Sequence, residues 1–190
     1  PELTQRAAEL CKCDLVSEMV LEFPELQGIA GSLYAAHDGE PQAVAEAIQS
    51  HYLPRFAGDQ LPSSAEASAV ALADRVDTLV GIFGIGEPPT GSKDPFALRR
   101  ASLGVIRILI EQSQPLPLNK LLRYAFEQHT AELAPDTVET VLHYMLERLG
   151  NWYDDAGIHI SVVRAVLATD GTDLFDIDLR VKALAAFAQT

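Results

Sequence analysis

Apolar residues recur at intervals of three and four along almost the whole chain, and that spacing limits what it can fold into. The clearest run is Val138, Val141, Leu142, Met145 and Leu149, which only a helical period of 3.6 gathers onto one face. By the same criterion residues 4–22 form a helix with a stripe of Leu10, Leu15, Met19 and Val20. Residues 26–36 form another, carrying Leu26, Ile29, Ala30, Leu33 and Tyr34. Further helices are expected over 41–48, 65–83, 96–112, 118–128, 135–152, 162–167 and 174–187. No stretch sustains the period-two alternation of a half-buried strand. The expected class is all-α with short connections.

The punctuation between these runs is specific. Pro24 disfavours helix at Phe23 and ends the first run. Gly28 and Gly31 allow the second helix to approach a neighbour closely. That helix ends at His37-Asp38-Gly39, and Pro41 opens the next. Residues 53–62 read as a loop, with Ser63 or Ser64 capping the helix that follows. The proline-rich joint at 114–117 is the softest boundary. It separates a helical domain over 1–113 from a helical extension over 114–190, whose last two helices are joined at Asp170-Gly171.

Charge narrows the partners. With 14 basic and 27 acidic residues the formal net charge is −13, which argues against a general nucleic-acid coat and leaves room only for a local basic patch. Cys11 and Cys13, one residue apart, suit neither a mutual disulfide nor a tetrahedral zinc site. The absence of a signal peptide and of a long apolar run suggests a cytoplasmic, reducing setting with no membrane. A chain that starts at Pro1 and stops inside a helical pattern reads as a piece of a longer protein, or a processed one.

The most basic stretch is residues 81–107, GIFGIGEPPTGSKDPFALRRASLGVIR. Gly84, Gly86 and Gly91, with Gly81 at the edge, lie between two apolar helical patterns. Asp94-Pro95 signals a helix start, with an N-cap carboxylate and proline in the first turn. From residue 88 to 107, Lys93, Arg99, Arg100 and Arg107 face one acid, Asp94. Glycine-rich backbone before a helix N-terminus can receive an anion, but Lys93 is followed by Asp94 rather than Ser or Thr, which excludes a P-loop. Lys93, Arg99 and Arg100 are therefore the candidate contacts to a phosphate backbone. Arg107, seven residues beyond Arg100 on the same helical face, is expected to pair with an acid of a neighbouring helix.

A second constellation is His37-Asp38 with Asp74 and Asp77. Histidine and carboxylates from separate helices can converge on manganese, iron or zinc. The alternative is a helix-end cap at His37-Asp38, with Asp74 and Asp77 as surface carboxylates. His37-Asp38 together with Ala73-Asp74-Arg75 resembles the HD superfamily of metal phosphohydrolases. That resemblance implies His37, Asp38 and Asp74 as ligands and hydrolysis of nucleotide or RNA phosphate esters. The family's earlier histidine is missing. Asp14 is the nearest substitute, and only Glu40 remains of the acidic pair after the motif, so the metal site is expected to be weakened or vestigial. His51, at a helix end, is expected to be a cap or surface residue, His129 to be exposed, and His143, near Tyr144 in an amphipathic helix, to be structural. No Gly-x-Ser-x-Gly elbow is present.

The linear strings carry a closer resemblance. Residues 13–16 with 22–28, 36–40, 52–59 and 71–79, and above all 81–86 through 93–100, resemble the beta subunit of bacterial glycyl-tRNA synthetase, in order over about the first 110 positions. Residues 163–168 and 180–184 are a looser match. The resemblance implies a beta-subunit piece containing an HD-like helical domain, working with an alpha subunit and tRNA(Gly) in an alpha2-beta2 heterotetramer. It also implies that ATP and Mg are bound by the alpha subunit, and that this piece has no aminoacylation site. A third possibility is a packing module that joins other domains of the subunit.

Overall fold

A computed structural model describes residues 1–169 and 171–188; Asp170, half of the expected Asp170-Gly171 turn, lies outside them. Among the described residues there are ten α-helices and no β-strand. They are α1 Glu2–Leu10, α2 Glu18–Glu22, α3 Ile29–His37, α4 Gln42–Ser50, α5 Ala65–Gly84, α6 Leu98–Glu111, α7 Leu118–Gln128, α8 Thr137–Asp155, α9 Ile160–Leu167 and α10 Leu174–Phe187. The chain separates into two compact units, Pro1–Asp74 and Arg75–Thr190, so the division falls inside α5. The proline-rich joint lies within the second unit. There the Leu118 N–H donates to the Thr172 carbonyl (2.8 Å) and ties the start of α7 to the segment before α10.

In the first unit, α1 and α3 both pack on α4. The core is Ala7, Cys11, Ala35, Val44, Ala45, Ala47, Ile48, Ala67 and Val70. These side chains are small, so the helices approach closely. A Cβ on Gly31 would lie 3.0 Å from an Ile48 methyl carbon and 3.1 Å from Asp14 Cγ, which bears out the expected close packing at that glycine. Gly28 holds φ +82° directly before α3, and a Cβ there would strike the Tyr52 ring at 2.6 Å. Only glycine meets both conditions.

The single helix expected over 4–22 is broken. Cys13–Val16 form a 3-10 turn, and α2 restarts after Ser17, whose hydroxyl accepts the Val20 N–H (3.4 Å). The cause is Asp14. Its side chain is buried and accepts the N–H groups of Gly28 (2.7 Å) and Gly31 (3.2 Å) through one oxygen, Oδ2. An unbroken helix would leave those amides at the α3 N-terminus without this partner. Of the expected stripe, Val20 is buried and Leu10 packs on the core, while Leu15 and Met19 are exposed, as are Leu21 and Phe23 beside them. His51, expected as a cap or a surface residue, is the C-cap of α4 and is fully buried, with Nδ1 2.7 Å from the Ile48 carbonyl oxygen.

In the second unit α6 is buried along most of its length, as its nearly continuous apolar sequence required. It contacts α8 and α10, while α7 packs on α8 and α8 on α9. Arg107, inside that apolar run, pairs with Glu111 one turn on (Nε to Oε1 2.7 Å) rather than with a neighbouring helix. Its burial means that it does not share an exposed face with Arg100. Tyr153 of α8 donates to Asp178 of α10 (3.0 Å), and Lys182 reaches the other Asp178 oxygen (2.7 Å). Among the described residues no helix is long and apolar enough to cross a membrane.

Candidate nucleic-acid interface

Residues 85–97 form the connection between α5 and α6, and both ends of it are anchored. Before it, the Phe83 ring lies against Tyr144 (centroids 4.9 Å apart), and the Arg148 guanidinium covers Tyr144 at 4.2 Å. Gly81 and Gly84 belong to α5 and not to the loop. A Cβ on Gly84 would fall within 2.9 Å of three Leu133 side-chain atoms, and one on Gly81 would lie 2.9 Å from His129 Cε1. The two glycines thus admit the segment after α7, whose Ala134 N–H donates to the Gly84 carbonyl (2.9 Å). His129, expected to be exposed, is instead held here with Nε2 3.3 Å from Asp77.

The loop proper closes as a two-residue hairpin turn. Thr90 and Lys93 exchange both backbone hydrogen bonds (3.0 and 2.7 Å), and Gly91 takes φ +49° at the first central position, where such turns require positive φ. Asp94 follows at once. Its Oδ1 accepts the Leu98 N–H (2.8 Å) and its Oδ2 the Arg99 N–H (3.0 Å). The carboxylate therefore caps α6 as anticipated, but from further upstream. The helix begins at Leu98 rather than Phe96, because Pro95 and Phe96 form a turn and Ala97 adopts φ +56°.

This geometry reassigns the basic residues. The positive N-terminus of α6 is answered by the chain's own Asp94, so it does not receive an outside anion. Arg99, half-buried, donates from Nη2 to the Gly91 carbonyl oxygen and so braces the hairpin turn against the helix. Lys93 and Arg100 are exposed, and neither side chain has an ion-pair partner among the described residues. Lys120 on α7, Arg148 on α8 and Arg164 on α9 also lack one, Arg148 lying over the Tyr144 ring. Lys93 closes the braced turn, and Arg100 follows in the first turn of α6. The first unit offers little by comparison: Arg6, Lys12 and Arg55 against twelve carboxylates. Arg6 is bound to Glu40 and Glu9, and Lys12 to Asp74 (3.1 Å).

The candidate metal ligands do not come together. His37 and Asp38 are exposed at the C-terminal end of α3. Asp14, the substitute for the missing histidine, is committed to the N-terminal end, about 12 Å away along a nine-residue helix. The Asp74 carboxylate accepts from the Lys12 ammonium, which also lies 4.3 Å from the Tyr52 ring centroid. A cation of the protein's own thus sits where a ligand oxygen would have to be open. Among the described residues no three His, Cys, Asp or Glu side chains are placed to hold a metal. The donor set does not fit the ion that the HD resemblance implies, and the sequence could not reveal this because it hides which end of α3 each carboxylate serves.

A family model described as glycyl-tRNA synthetase beta subunit matches residues 2–168. Among curated relatives, the glycine–tRNA ligase beta subunit of Marinobacter nauticus is 53% identical over 189 residues, covering 100% of this chain and 27% of the relative. That of Chromohalobacter salexigens is 54% identical over 185 residues (97% and 27%). That of Pasteurella multocida is 50% identical over 184 (96% and 27%). The chain thus spans about 27% of the length of the curated relatives it matches.

Proposed function

The chain belongs to the glycyl-tRNA synthetase beta-subunit family, and from that premise we propose that it is the tRNA-contacting region of a subunit that helps attach glycine to tRNA(Gly). A beta subunit presupposes an alpha subunit, and an alpha2-beta2 assembly in the cytoplasm is the form proposed. Esterifying tRNA with glycine needs an activated carboxyl group, so ATP and Mg are assigned to the alpha subunit. This region contributes RNA contact rather than chemistry. The observation that carries the reading is Lys93 on the braced turn and Arg100 at the start of the helix after it, two cations without acidic partners among the described residues of an acidic chain. Their role is to meet phosphates, and that of Arg99 is to hold the turn that presents them.

The experiment is tRNA binding by the full-length beta subunit carrying Lys93→Glu and Arg100→Glu, across a salt series. Affinity is expected to fall about tenfold or more, about 1.4 kcal/mol. The slope of log K against log salt should become shallower by about one for each phosphate that is no longer neutralised. An unchanged slope and affinity at low salt would rule the reading out.

A second reading concerns the first unit, where Val16 (88% exposed), Leu21, Phe23 and Leu33 stand in solvent beside Glu18, Glu22 and Glu25. Such a group marks a protein-docking face. We assign it to contact with the remainder of the longer subunit. Val16→Ser with Leu21→Ser in the full-length protein is then expected to cost about 3–6 kcal/mol, the burial value of two aliphatic side chains at about 1.5–3 kcal/mol each. A change within about 0.5 kcal/mol, the usual surface effect, would show that the face is bare.

A further inference from the structure

Phe96 is 46% exposed, although its place directly after Asp94-Pro95 reads as the first apolar residue of a helix. The turn that carries it is held by three sets of hydrogen bonds: the Thr90–Lys93 backbone pair, the Asp94 carboxylate on two amides, and the Arg99 guanidinium on Gly91. Ala97, in the left-handed region at φ +56°, turns the chain directly after Phe96 into α6. Phe96 therefore stands at the surface of a braced turn, with Lys93, which has no ion-pair partner among the described residues, three residues before it and Arg100, at the start of α6, four residues after.

An exposed aromatic residue flanked in sequence by two exposed cations has the composition of a site for unpaired nucleotides. Bases stack on the ring whatever their identity, while the cations take the flanking phosphates. A duplex would use the charges and leave the ring idle, because its bases are already stacked. Apolar docking of a protein would be opposed by two solvated charges beside a single ring. We infer that the 90–100 turn binds an unpaired nucleotide of tRNA, its base on Phe96 and its phosphates on Lys93 and Arg100. This rests on the tRNA-contact reading above and adds the structural class of nucleotide that the turn selects.

The test uses the full-length beta subunit with Phe96→Ala, Phe96→Leu and Phe96→Tyr, titrated with tRNA(Gly) that is intact or shortened by removal of its single-stranded 3′ end. For at least one unpaired site on intact tRNA, Phe96→Ala and Phe96→Leu should weaken binding by about 5- to 150-fold, with the salt slope of the parent. Phe96→Tyr should retain affinity. If the penalty vanishes with shortened tRNA, the stacked nucleotide belongs to the 3′ end; if it persists, it belongs to an unpaired loop. Both results support the site. Full affinity in Phe96→Leu would reduce the contact to apolar packing and overturn stacking. Parent-like binding by Phe96→Ala, with Lys93→Glu/Arg100→Glu still weakened, would overturn stacking and leave the phosphate contacts standing. Parent-like binding by every variant would remove both.

Discussion

Replacing Asp14 with alanine is expected to destabilise the first unit by about 2–4 kcal/mol, the largest single effect that this fold predicts for a polar side chain. One carboxylate oxygen, 2% of the residue being accessible, receives the N–H groups of Gly28 and Gly31 at the start of α3. Alanine leaves two buried donors unanswered, at about 1–3 kcal/mol each, and removes a negative charge from a helix N-terminus. The other Asp14 oxygen is buried without a hydrogen-bond partner, so the variant also relieves one unfavourable group, which keeps the total below the sum of its parts. Asparagine, which still offers an acceptor oxygen, should lose less than half as much. Denaturant unfolding of the three proteins checks this. A loss under about 1 kcal/mol for alanine would mean that α3 does not depend on the cap.

Tyr153→Phe is expected to cost about 1.5–3 kcal/mol, the range for a hydrogen bond to a charged group, and to change how stability depends on pH. Tyr153 is 1% and Asp178 3% exposed, and their bond joins α8 to α10. Burial first, and the Asp178 charge and hydrogen bond after it, hold the phenol proton well above its ordinary value of 10.0. The folded state thus keeps a proton that the unfolded chain releases above about pH 10. The stabilisation is complete below about pH 10 and is lost as pH rises, by about 1.4 kcal/mol per pH unit. Tyr52 and Tyr144, both pushed up by burial, contribute in the same direction, but they remain in the variant. The difference between parent and Tyr153→Phe across about pH 9–11 therefore isolates Tyr153. Parallel curves would contradict the assignment.

Both effects sit at positions that periodicity cannot rank. Asp14 lies in an otherwise plausible helical stripe and Tyr153 at the end of another. Their importance comes from partners 14 to 25 residues away. The same blindness explains the misplaced histidines. By sequence His51 reads as a cap or surface residue and His129 as exposed, yet His51, the C-cap of α4, is enclosed and His129 is seated against Gly81. For the candidate interface, the three cations were legible as a local excess of charge. Phe96 was not, because an aromatic after Asp-Pro reads as the first apolar residue of a helix. What exposes it is the Ala97 turn, which delays the helix to Leu98.

The sequence by itself determined the all-helical class, the span 118–128 of α7, the end of α3 at His37, the closely approached Gly31 and the family. These follow from local spacing, chain punctuation and rare strings of residues, all of which are properties of neighbours along the chain. The tertiary structure alone decided that Asp14 caps a helix instead of joining a metal set. It also decided that Lys12 occupies Asp74, and that Arg99 braces the turn while Lys93 and Arg100 remain open. The physical reason is common to all three. A charge is defined by what lies within about 3 Å of it, and in this chain the deciding partners of Asp14 and Asp74 come from other elements.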